Sequence, residues 1–128
     1  MEQKVKRWLM YLALGTALAL CASAMAFLLL CGVTPSVTVY NNSPWPLSSV
    51  QVTLPSNSLR FDAIGPNEEQ RIFYDANQAD GVYRIELERQ GKRLSTECGY
   101  VTHGEWGKRL QVIVDETDHI QCREQLHY

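Results

Sequence analysis

The sequence predicts an all-β sandwich of about eight short strands behind a single apolar helix, within 128 residues. Three observations carry that expectation. From Trp8 to Val33 no residue is charged, and only Gly15, Thr16, Ser23 and Gly32 interrupt Leu, Ala, Met, Phe, Tyr, Val and Cys. After Thr34-Pro35 the pattern switches to apolar residues at every second position, the period of half-buried strands. Turn chemistry then recurs at Asn41-Asn42-Ser43-Pro44, Pro55-Ser56-Asn57, Gly65-Pro66-Asn67, Asp80-Gly81, Gln90-Gly91-Lys92 and His103-Gly104 to Gly107.

The apolar segment comes first. At about 1.5 Å per residue its 26 positions reach roughly 39 Å, more than the roughly 30 Å hydrocarbon core of a bilayer requires. Lys4, Lys6 and Arg7 stand directly before it, whereas the next basic residue after it is Arg60. The positive-inside rule therefore assigns residues 1–7 to a cytoplasmic tail, 8–33 to a signal-anchor helix and 34–128 to an extracytoplasmic domain. The expected location is a single pass through the inner membrane, with the C-terminal domain periplasmic or extracellular. Trp8 and Tyr11 at one end, and Tyr40 and Trp45 beyond the other, have the amphipathic side chains that settle at headgroup level.

Two other readings of the segment stay open. Cleavage after Ala24 or Ala26 would release a secreted binding domain, but one that starts with the apolar stretch Phe27 to Val33. Lipidation at Cys21 or Cys31 meets leucine directly before each cysteine, where a small residue is wanted. Within the helix, Gly15, Ala19 and Ser23 are spaced four apart and would form a strip for helix–helix contact.

Alternation defines the strands beyond Pro35. Val37 and Val39; Val50, Val52 and Leu54; Leu59, Phe61 and Ala63; Tyr83, Ile85 and Leu87; and Leu110, Val112 and Val114 mark five of them. Shorter candidates run over residues 70–74, 94–101 and 119–123. Arg89-Gln90-Gly91-Lys92 should close a hairpin pairing the strand through Ile85 with the strand through Thr96. The stretch from Gly65-Pro66-Asn67-Glu68-Glu69 to Asp80-Gly81-Val82-Tyr83 resembles the corner of immunoglobulin-like and fibronectin-like sandwiches. There an early tyrosine of a strand bonds back to the backbone. This resemblance implies a small immunoglobulin-like or fibronectin-like sandwich and carries no function with it.

Charge and cysteine usage bound the chemistry. Residues 34–128 hold nine Lys/Arg against thirteen Asp/Glu, a net charge of −4, which disfavours nucleic acid as a partner because phosphate binding needs a basic face. Cys98 and Cys122 are the cysteines outside the apolar segment, and in an oxidising compartment they are expected to pair. Closing a loop of that length contributes about 3 kcal/mol in the chain-entropy model. No Gly-x-Ser-x-Gly, His-Glu-x-x-His or phosphate-cradling glycine loop is present, so catalysis, a cofactor and a small-molecule substrate are not expected.

Weaker candidates remain. His103, Glu105 and His119 could hold a metal only if two loops converged, and loop histidines at a solvated surface explain His103, His119 and His127 more simply. Asp115, Glu116 and Asp118 read as a hairpin link, lacking the length and distal glutamate of a calcium loop. Arg89, Lys92 and Arg93 read as a solvated basic knob at a hairpin tip. Asn41-Asn42-Ser43 matches the glycosylation acceptor pattern. Surface recognition remains: Trp45 between two prolines, with His103 and Trp106 in a glycine-flanked loop, are the expected partner-binding loops. The expected role is an envelope interaction module, an accessory subunit that meets the bilayer and another envelope protein. The alternative is an immunity protein or inhibitor that neutralises a toxin or hydrolase.

Overall fold

The computed structural model describes residues 1–126, the side chain of Cys31 excepted, so His127 and Tyr128 lie outside the described residues. It divides into two units, one ending at Val33 and the other beginning at Thr34. The first is helix α1, Glu2–Val33. It starts ahead of the apolar run because Glu2, Gln3, Lys4, Lys6 and Arg7 are good helix formers, and Glu2 suits the positive pole of the first turn. Its polar hydroxyls are satisfied internally: Thr16 donates to the Leu12 carbonyl at 2.8 Å and Ser23 to the Ala19 carbonyl at 2.9 Å. Over Glu2–Leu30 the helix is long and apolar enough to cross a membrane.

The second unit is mostly β, with eight strands among the described residues. They are β1 (Ser36–Asn42), β2 (Ser48–Thr53), β3 (Ser58–Arg60), β4 (Glu69–Phe73), β5 (Gly81–Arg89), β6 (Lys92–Val101), β7 (Lys108–Asp115) and β8 (Ile120–Leu126). They form two four-stranded sheets, ordered β4-β1-β7-β8 and β3-β2-β5-β6. Every pairing is antiparallel except β1 with β7, which run in the same direction from Ser36↔Arg109 to Asn42↔Asp115.

Alternation explains the core. Val37, Val39, Leu110, Val112 and Val114 from the first sheet share one buried cluster with Val52, Ile85, Leu87 and Leu94 from the second. Each such side chain contributes about 1.5–3 kcal/mol on leaving water, most of it offset by ordering the chain. The hairpin closes at Gln90 (φ 51°) and Gly91 (φ 74°), and Ile85 stands directly opposite Thr96. Two successive positive φ values make the turn whose twist matches the strands.

Cys98 and Cys122 are bonded, with Cα atoms 6.2 Å apart. The bond does more than secure a last strand to its own sheet, because β6 is the edge of one sheet and β8 the edge of the other. It clasps the two layers along their open side.

Three details depart from the sequence reading. The third strand ends at Arg60, and Ile64 is buried where Ala63 was expected. Ile64 exchanges both backbone bonds with Leu47, at 2.8 and 3.0 Å, and that bridge sets its inward direction. His119 belongs to the β7–β8 link, and β8 runs on to Leu126. The Tyr83 hydroxyl meets the Tyr74 hydroxyl at 2.7 Å, with the rings edge to face, where the corner motif bonds it to backbone. Tyr74 is itself buried and needs a partner. Burial pushes both phenols up, so the pair stays neutral.

Candidate interaction surfaces

Strand directions give the β domain two ends. At the entry end the chain arrives through Thr34-Pro35; the 54–57 turn, the 74–80 segment and the 102–107 loop gather there. At the far end lie the 43–47 loop, the Gln90-Gly91 turn and the 116–119 link. Trp45 is therefore at the opposite end from His103 and Trp106, and the three do not share a surface. His119 is likewise at the far end from His103 and Glu105, so these three do not converge on a metal. Among the described residues no group of three His, Cys, Asp or Glu side chains stands close enough to hold one.

The far end is built on Arg89. Its side chain is 3% exposed, not a solvated knob. It donates to the Asp115 carbonyl and to the Asp118 carboxylate, while Lys92 holds the other Asp118 oxygen at 2.7 Å. Trp45 lies half buried with its ring 5.3 Å from the guanidinium, a cation–π contact. Lys92 first and Arg89 second hold the Asp118 carboxyl below its ordinary value. Asp115 spends one carboxylate oxygen on the Thr117 and His119 N–H groups and the Thr117 hydroxyl, at 2.8–3.0 Å, and its carboxyl is lowered too. Within the acidic link Asp118 is thus ion-paired and Asp115 is consumed in shaping the turn. Beside it a shallow polar depression of about 370 Å³ is lined by Asn42, Ser43, Pro44, Asn67 and the Asp115–Thr117 turn.

Asn41 fixes this end from below. Fully buried, it donates to the carbonyls of Trp45, Ile64 and Gly65 at 2.7–3.2 Å and accepts from Ser43 at 2.6 Å. In the folded domain that amide is spoken for, so the acceptor pattern at Asn41-Asn42-Ser43 offers no accessible nitrogen for a glycan.

The entry end is built on Lys108, 2% exposed. Its ammonium donates to the Tyr100 carbonyl and to Glu105 at 3.0–3.2 Å, lies 3.4 Å from Glu124, and sits 5.4 Å from the Tyr83 ring centre. Burial alone would raise the Glu105 carboxyl, but the Thr102 N–H and Lys108 bring it below its ordinary value. The 102–107 loop is tied down further by Gly104 donating to the Ala76 carbonyl at 2.9 Å. From that loop Trp106 projects, 57% exposed. Arg109 donates to the Thr34 carbonyl at 2.5 Å and lies over the Phe73 ring.

In α1, Gly15, Ala19 and Ser23 are exposed, and nothing lies within 4 Å of where a Gly15 side chain would begin. Lys4, Lys6 and Arg7 occupy its first turns and are exposed.

No protein-family model and no curated protein matches this chain. Among solved structures, the NMR structure of a protein from Eubacterium rectale is similar, with a TM-score of 0.52. The two are 12% identical, and the match covers 73% of this chain and 90% of that one. At that identity the likeness concerns the fold alone.

Proposed function

We propose that this protein is an envelope interaction module: a β domain held by α1 in the inner membrane, outside the cytoplasm, serving as an accessory subunit that binds another envelope protein. The observation that carries this reading is the junction. Two residues, Thr34 and Pro35, separate an apolar helix of membrane-crossing length from a domain clasped by a disulfide. Disulfides persist in oxidising compartments, and the basic residues gather before the helix, so both signs favour a domain displayed outside. Binding is favoured over catalysis because the two buried cations of the β domain are consumed in structure. Lys108 is neutralised by Glu105 and Glu124, and Arg89 by Asp118. The polar depression beside the Asp115–Thr117 turn and the outer sheet faces are the surfaces left for a partner.

An immunoglobulin-like classification belongs with this reading. The order β3-β2-β5-β6 matches the C′-C-F-G sheet of such domains, β1 with β4 matches their B–E pair, and Tyr83 stands early in the F position. The parallel β7 departs from the pattern.

A fusion of a periplasm-active reporter after Tyr128 tests orientation: activity there, and silence of a cytoplasm-only reporter, is the expected result. Mild-detergent purification from the native host should bring down a second envelope protein in fixed ratio. Repeated recovery of the chain alone would sink the accessory-subunit role while leaving the orientation standing.

A further inference from the structure

Exposed large apolar side chains are distributed over the β domain in a one-sided way. Among the described residues five are exposed: Phe73, Val82, Tyr100, Trp106 and Leu126, each between 40% and 57%. The register places all five at the entry end. Phe73 is opposite Ser36, the first residue of β1. Val82 and Tyr100 are next to the terminal Gly81↔Val101 pair, Leu126 is opposite Lys108, and Trp106 lies in the loop just before it. Both sheets contribute. Among the described residues the far end exposes no such side chain, its one tryptophan being folded onto Arg89.

We propose that this rim is a lipid contact: the entry end of the domain rests at headgroup level on the bilayer that α1 crosses. The proposal depends on the anchor reading above. Three peptide links join Val33 to Ser36, so the end of the helix and the start of β1 are at most about 11 Å apart. The entry end is thereby held within reach of the membrane surface. Tyrosine and tryptophan concentrate at that depth because an apolar ring and a polar edge suit the boundary. Five apolar side chains gathered at one end would be a liability in water and become an asset there. Tyr40 and Trp45, near the helix in sequence, lie toward the far end and take no part.

Three single-tryptophan forms of the full chain test this, keeping Trp8, Trp45 or Trp106 and replacing the other two with Phe. Each is reconstituted into phosphatidylethanolamine and phosphatidylglycerol vesicles doped with lipid brominated near the headgroup end of its acyl chains. Acrylamide serves as the aqueous quencher. Trp8 and Trp106 should each lose a substantial and similar share of their emission to bromolipid, since both rings would lie at headgroup depth. Trp45 should lose none, and Trp106 should be shielded from acrylamide. If Trp8 is quenched while Trp106 stays open to acrylamide, the anchor stands and the lipid rim is overturned, leaving those side chains to a protein partner. Equal quenching of Trp45 and Trp106 also overturns it, since the domain would then have no preferred end. Absence of quenching at Trp8 overturns the anchor and the rim together.

Discussion

Lys108 and Arg89 are polar residues whose loss the domain should tolerate poorly. Each is a buried cation whose partners are fixed by the fold: Glu105, Glu124 and the Tyr100 carbonyl for one, Asp118 and the Asp115 carbonyl for the other. Truncating Lys108 leaves Glu105, only 19% exposed, and Glu124 without their counter-charge, at a cost of about 1–3 kcal/mol because water reaches part of the set. Lys108→Ala should therefore lower the unfolding free energy by about that much in urea titrations, whereas Lys92→Ala, at an exposed pair, should cost about 1 kcal/mol or less. The carboxyl partners set a pH dependence. Glu105 and Asp118 are lowered from ordinary values of 4.5 and 3.8, so their contribution is present above those values and is lost as pH falls through and below them. The urea midpoint should be flat near neutrality and decline on acidification past 4.5. Both cations were legible in principle. Arg89 extends the series Tyr83, Ile85, Leu87, and Lys108 opens the series Leu110, Val112, Val114, so strand parity turns each inward. Charge and the nearby turn argued the other way for Arg89, and no local signal names the acids that would meet it.

At the level of strands and turns, sequence periodicity did well where a strand is long and one face is buried. The β5–β6 hairpin, including the Ile85↔Thr96 pairing, follows from alternation and a glycine turn. It did poorly at β3, where three residues are too few to establish a period and the Leu47–Ile64 bridge sets the direction. Gly99 was silent in the sequence. It has φ +67° in the irregularity of β6, and a β carbon there would lie 2.1 Å from Glu124 Oε1 and 3.1 Å from the Tyr83 ring. Glu124 is held in place by the Tyr100 N–H at 2.9 Å, so it cannot retreat without breaking that bond. Gly99→Ala should cost about 1–2 kcal/mol from the left-handed backbone alone, more with the displaced carboxylate, and lower the thermal midpoint followed by circular dichroism. Removal of the clasp by Cys98→Ser with Cys122→Ser should cost about 3 kcal/mol. Reductant should produce the same loss in the unsubstituted protein and none in the double variant.

For the molecule as a whole, the count of strands and the change from helix to sheet were legible, because both are written in local hydrophobic period. The partners of each strand were not. Nothing near Val37 in the sequence announces that β1 lies between β4 and β7, or that Phe73, Tyr100 and Trp106 gather at one end. Long-range pairing decides those placements, and it also decides which tryptophan faces which way.

The parallel pairing of β1 with β7 also governs the order in which the domain can be made. Ser36 and Arg109 are 73 residues apart, so at about 5–20 residues per second one edge of the first strand waits roughly 4–15 seconds for its neighbour to be synthesised. During that interval a valine-rich edge stands open to pairing with other chains. The nascent domain should need a holding factor or rapid delivery across the membrane, and a chain stopped after Val101 should be recovered as aggregate, whereas one carried through β8 should be soluble in mild detergent.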